Sequence, residues 1–113
     1  MVNNQKYGIE VSDIEGILSI FKGNVRISRI ILFGSRAKGI FTERSDVDIA
    51  ISGDNLGLKD VIGASIEIDQ LYLPYKVDII IFDRIKEDAL IGHINRVGIV
   101  LFEKKKPEYN TLA

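Results

Sequence analysis

The stretch GSRAKGIFTERSDVDIAI, from Gly34 to Ile51, decides how this chain is read. It places a Gly34-Ser35 turn directly after an apolar run, then two carboxylates, Asp46 and Asp48, with one residue between them. In an extended strand side chains alternate between faces, so Asp46 and Asp48 fall on one side and Val47, Ile49 and Ile51 on the other. Two carboxylates this close repel each other when both are ionised, unless a cation relieves them. A third acid, Asp78, interrupts the later apolar run VDIIIF, where an uncompensated charge carries a desolvation cost. Strands laid side by side would bring the three acids together.

Working outward, Ile27–Phe33 is an isoleucine-rich strand ended by Gly34. Ser35–Gly39 is expected to turn into a short helical segment, Thr42–Ser45 to loop, and residues 46–51 to form the next strand. Upstream, Asp13–Lys22 carries Ile14, Ile17, Leu18 and Phe21 at helical spacing, with Ser12 or Asp13 as its cap. Downstream of a loop at Ser52–Leu56, a helix is expected over Leu58–Leu71. Its inward residues should be Leu58, Val61, Ile62, Ile66 and one of Ile68 or Leu71. Pro74 breaks the pattern before a strand at Lys76–Phe82. A last helix, Ile85–Val97, is expected to be capped by Asp83 and to turn Leu90, Ile91 and Ile94 inward. A strand at Ile99–Phe102 closes the series. The order predicts an α/β (α+β) fold, a small mixed sheet of about four strands with helices on one face. The connection from Phe33 to Asp46 is too short for a regular crossover helix.

The 113 residues suit one domain, with a core at about 13–103 and a polar, frayed tail at 104–113. Fifteen Lys and Arg against sixteen Asp and Glu give a net charge of -1, which does not favour a general nucleic-acid binder. There is no cysteine, so neither disulfides nor thiolate chemistry enter. No apolar run approaches the roughly 18 residues a membrane span requires, and no basic-then-apolar leader precedes the first helix. A cytoplasmic location is expected. With His93 the single histidine, a metal site would rest on oxygen ligands, which favours Mg²⁺, with Mn²⁺ as an alternative.

Each piece alone has an ordinary explanation: Gly-Ser after a strand is commonly a turn, Asp-x-Asp a solvated strand edge, Asp78 a strand terminus. Together they point to a metal-bound nucleoside triphosphate. Two ions can clamp the attacking and leaving oxygens of a phosphoryl displacement. Asp46 and Asp48 are the candidate shared ligands, with Asp78 completing the site nearer the nucleophile and assisting its deprotonation. The amides and hydroxyl of Gly34-Ser35 are candidates to hold phosphates. Arg36, Lys38 and Arg44 would offset the negative charge of the triphosphate and the leaving pyrophosphate.

These residues resemble the minimal nucleotidyltransferases of the nucleotidyltransferase fold superfamily. The signature is Gly-Ser, ten residues, Asp-x-Asp, and a later third Asp. Here Gly34-Ser35, the ten residues Arg36 to Ser45, Asp46-Val47-Asp48 and Asp78 follow it without a break, within FGSRAKG, SDVDIAI and LPYKVDIIIF. The likeness runs from Ile14 to Phe102. It implies a mixed sheet flanked by helices, ATP as substrate, Mg²⁺, and transfer of a nucleoside monophosphate with release of pyrophosphate. Many minimal members are antitoxins that adenylylate a tyrosine of an all-helical HEPN-type toxin encoded nearby, so the resemblance implies such a partner. The short chain has little material for an acceptor pocket of its own. Completion by a partner or by a second copy, as a homodimer or hetero-oligomer, is therefore expected. The competing readings are a binding-only antitoxin that keeps the fold and transfer to a small molecule such as an aminoglycoside; transfer to RNA is weaker. His93, Tyr72, Pro74, Tyr75, Lys59, Asp60, Asp69 and the lysine run 104–106 are read as structural or surface residues.

Overall fold

The computed structural model describes residues 4–105. A minimal hairpin, β1 (Gln5–Lys6) and β2 (Ile9–Glu10), leads into α1 (Val11–Lys22). There follow β3 (Ile27–Phe33), α2 (Gly34–Lys38), β4 (Val47–Gly53), α3 (Leu58–Asp69), β5 (Val77–Ile81), a 3₁₀ turn at Phe82–Arg84, α4 (Asp88–Val97) and β6 (Ile99–Glu103). The main sheet has the order β5-β4-β3-β6. β3 runs antiparallel to both β4 and β6, whereas β4 and β5 are parallel. The mixed four-strand α/β architecture read from the sequence is the one observed.

The strands form where branched apolar residues cluster, and the pleat assigns them to two faces. On one face Ile30, Leu32, Val47, Ile49 and Ile51 pack with Ile17 and Phe21 of α1 and with Ala64 and Ile68 of α3. On the other, Ile31, Phe33 and Ala50 pack with Ile94 of α4. Helices therefore cover both faces rather than the one expected. Ala50, the small residue of β4, is buried beneath α4.

Several boundaries shift. α1 begins at Val11, with Glu10 rather than Ser12 or Asp13 at its N-cap and no side-chain capping bond there; instead the Val11 N–H donates to the Asn4 carbonyl at 2.8 Å. α3 stops at Asp69, and its inward face is Val61, Ala64 and Ile68. Leu58, Ile62, Ile66 and Leu71 are exposed, Leu58 by 71%. The larger side chains misled the reading: small Ala64 marks the buried stripe while the isoleucines flank it. α4 starts at Asp88, not Ile85, because Phe82–Arg84 makes a separate 3₁₀ turn. Asp83 does not cap α4. Its carboxylate accepts the Ser52 hydroxyl at 2.9 Å and the Gly53 N–H at 3.0 Å, fastening the end of β4 to the turn.

The α3 start is held by Asp60, which accepts the Gly57 N–H at 2.8 Å and the Asn24 side-chain amide, and pairs with Arg26. Those bonds, the Gly57 N–H foremost, pull its carboxyl below the ordinary value. Lys104 is fixed too: its N–H donates to the Ser28 carbonyl and its Nζ to the Val25 carbonyl. The rest of the expected frayed tail, residues 106–113, lies outside the described residues. Among the described residues no helix is long and apolar enough to cross a membrane.

Candidate active site

The parallel pairing of β4 with β5 sets Asp48 and Asp78 opposite each other in register. The antiparallel pairing of β3 with β4 sets Phe33 opposite Asp48. The turn that leaves β3 therefore starts beside the acids. Asp46 precedes β4 by one residue, in the loop rather than in the strand. The next residue, Val47, donates its N–H to the Lys76 carbonyl at 2.8 Å, which docks this entrance on the approach to β5. All three acids are partly exposed at this one end of the sheet.

Asp48 feels both of the other acids. The Asp48 carboxyl is raised above its ordinary value, first by burial, then by Asp78 and by Asp46; His93 opposes the rise. Lys76 approaches Asp78, Nζ to Oδ1 3.7 Å, in a largely exposed pair whose energetic weight is small. Among the described residues no three His, Asp or Glu side chains are gathered tightly enough to enclose a metal ion. The donor set nevertheless fits a hard cation of the Mg²⁺ type, which commonly takes one or two carboxylates and completes its shell with water and phosphate oxygens. Asp48 and Asp78, set opposite each other in register, are the pair such a cation would bridge.

Gly34 is required by contact. Its φ is +75°, and a Cβ there would run into Asp48 Oδ2. Glycine thus lets the backbone lie against the carboxylate. Ser35 follows within α2, partly exposed, and its carbonyl accepts the Ile40 N–H. Gly39, with φ +79°, closes α2 in the left-handed conformation.

The three cations expected at a phosphate site part company. Lys38 and Arg44 are exposed, on the end of α2 and in the following turn. Arg36 is 1% exposed, and its guanidinium is engaged by the protein's own backbone. It donates to the carbonyls of Tyr7 at 3.0 Å and Ser45 at 2.9 and 3.1 Å, with longer bonds to Thr42 and Glu43. The rings of Phe41 and Tyr75 lie 5.3 and 5.1 Å from it. The sequence reading gave this charge to a triphosphate; the structure turns it toward the loop that carries Asp46.

Two neighbours escaped the sequence reading. Lys76 was counted only as a strand residue. His93 was treated as remote from the acids, yet its Nε2 accepts the Gly34 N–H at 3.3 Å. An apolar α4 crossing the Phe33 face was the available signal, but it does not say which residue of the helix reaches the turn.

A family model described as polymerase beta, nucleotidyltransferase, matches residues 15–107. A protein of Methanocaldococcus jannaschii, provisionally named a protein adenylyltransferase, is 51% identical over 41 residues. That match covers 36% of this chain, and only 39% of the relative's length. Among solved structures, a chain of a toxin–antitoxin complex with AMP-PNP superposes with a TM-score of 0.67 at 22% identity, over 80% of this chain and 73% of that one. A chain from the complex of tri-AMPylated Shewanella oneidensis HEPN toxin with MNT antitoxin gives 0.64 at 18% identity, over 83% and 72%. At these identities the likeness is one of fold.

Two outcomes are expected from this geometry. Arg36→Met should lower unfolding free energy by about 3 kcal/mol in denaturant titrations, because the buried guanidinium's bonds to the hairpin and loop carbonyls are lost. Lys38→Ala and Arg44→Ala should stay within about 0.5 kcal/mol. Equal, small effects at all three positions would refute the clamp. Asp48→Asn, melted in the presence of a chelator, should be more thermostable than the parent at pH 7. A raised carboxyl is most favourable to the fold while protonated. Its contribution falls as pH climbs from the unfolded value of 3.8 through the higher folded value. The advantage of the variant should therefore vanish below pH 3.8, and an advantage that persisted there would contradict this origin.

Proposed function

The chain belongs to the polymerase-beta nucleotidyltransferase family, and we propose that it transfers AMP from ATP to a tyrosine of a small all-helical HEPN-type toxin, acting as the antitoxin of the pair. The observation that carries this reading is the in-register pairing of Asp48 with Asp78 beside Gly34.

Asp46, Asp48 and Asp78 are the residues that would hold Mg²⁺, one ion or two. When bound, the metal supplies Lewis-acid polarisation of the phosphate oxygens and relieves the repulsion among the acids. Asp78, with a side chain 43% exposed, is open to an incoming hydroxyl and accepts its proton. The tyrosine oxygen forms a bond to the α-phosphorus, the bond from that phosphorus to the bridging oxygen breaks, and pyrophosphate leaves. Gly34 and Ser35 would meet the nucleotide's phosphates, with the Ser35 hydroxyl as a donor. Lys38 and Arg44, exposed and free to swing, are the cations available to the leaving pyrophosphate. Arg36 acts behind them, through the loop.

A protein acceptor is supported by the position of the acids, partly exposed at one end of the sheet with Asp78 on its edge strand β5, where a partner can reach them. The adenylyltransferase name of the Methanocaldococcus relative and the AMPylated toxin of the Shewanella complex agree with it.

The test is incubation of the purified chain with ATP labelled at the α-phosphate, Mg²⁺, and the helical protein encoded beside it. Label should appear on a tyrosine of that protein. The double variant Asp46→Asn, Asp48→Asn should keep its fold by circular dichroism and transfer none. Undiminished transfer by this variant would remove the metal-carboxylate mechanism. Neutralisation of the toxin without any transfer would favour the binding-only reading.

A further inference from the structure

His93 lies on α4, outside the Gly-Ser and Asp-x-Asp motifs. α4 crosses the second face of the sheet, where Ile94 and Leu90 pack against Ile31, Phe33 and Ala50. That packing brings the His93 ring edge-on to Phe33, with centroids 6.2 Å apart and planes at 80°. It also brings Nε2 within 3.3 Å of the Gly34 nitrogen, as acceptor of its N–H. Accepting that bond requires the Nε2 lone pair, so the ring's own N–H is on Nδ1.

The location of this bond gives it consequence. Gly34 holds φ at +75° and lies against Asp48 Oδ2 with no room for a Cβ. A rotation of the Gly34 peptide would therefore displace either the carboxylate or the turn that contains Ser35. Phe33 and Gly34 thus meet one side chain that arrives from a different element.

We infer that His93 is a positioning residue: its Nε2 fixes the Gly34 peptide in the left-handed conformation that aligns the Gly34-Ser35 turn with the Asp48 carboxylate. Its effect on nucleotide binding rests on the function proposed above; its effect on the Gly34 peptide does not. A merely structural histidine would need only its ring volume against Phe33. A positioning histidine needs its acceptor atom.

His93→Phe keeps a ring and removes the acceptor, while His93→Gln removes the ring and returns an acceptor at the same reach. If phenylalanine proves too bulky to fold, His93→Leu serves the same purpose. Two readouts are taken on the full chain. One is hydrogen exchange of the Gly34 amide without nucleotide. The other is calorimetric binding of AMP-PNP with Mg²⁺. His93→Phe should speed Gly34 exchange and weaken AMP-PNP binding, each by about tenfold, the worth of one hydrogen bond. His93→Gln should recover most of both. Wild-type Gly34 exchange in His93→Phe, or no recovery in His93→Gln, would overturn the inference. If the wild-type chain bound no AMP-PNP, the proposed function would fail, and Gly34 exchange alone would still decide the role of His93.

Discussion

A buried arginine holds together the parts of this molecule that are not held by its sheet. Arg36 is the one charged residue that is fully buried among those described. Desolvating a guanidinium is costly unless its donors are used, and here they are used on the backbone of two separate segments. Tyr7 supplies a carbonyl from the N-terminal hairpin, while Thr42, Glu43 and Ser45 supply theirs from the loop before β4. Lysine, with a compact ammonium, has no comparable fork. Tyr75 adds its ring to the guanidinium, and its hydroxyl accepts the Glu10 N–H, so the approach to β5 is tied to the same point. The loop that delivers Asp46 is thereby fixed from behind.

What that clamp positions is a strained electrostatic arrangement. β4 and β5 set two carboxylates in register, and Gly34 presses its backbone against one of them. Burial and the neighbouring acids both disfavour the ionised form of Asp48. A fold selected for stability alone would have no use for this cluster. Its cost becomes intelligible where a cation and a nucleotide occupy the site, since charge that destabilises the free protein is then the charge that binds. The core carries the difference: the residues alternating with Asp48, Val47, Ile49 and Ile51, are essentially sealed from solvent.

The sequence made the strands, and the placing of the acids at one end of the sheet, legible because both obey local rules. Ile27–Phe33 was bounded to the residue by its isoleucines and by Gly34, and Asp-x-Asp alternates with the core-facing positions of β4. Convergence on Asp78 needed only that two apolar strands be neighbours. The remaining features depend on partners distant along the chain. Arg36 sits in a motif where a cation suggests phosphate, and nothing local reveals that the Tyr7 carbonyl will meet it. His93 belongs to a helix whose start was displaced by the 3₁₀ turn at Phe82–Arg84, so its facing could not be phased. In α3 the small side chain of Ala64 carries the buried stripe, and a reading weighted by size chose Ile62 and Ile66 instead. The β1–β2 hairpin, two residues a strand, is too short for periodicity to register.

Asp46, Asp48 and Asp78 are proposed to form a single cation site at the end of the sheet beside Gly34. The most direct measurement is anomalous diffraction from crystals grown with Mn²⁺ and AMP-PNP. Manganese peaks are expected in contact with carboxylate oxygens of Asp46, Asp48 and Asp78, with the phosphates beside Gly34 and Ser35. Manganese bound elsewhere on the protein, with these carboxylates free of metal and nucleotide, would contradict that expectation.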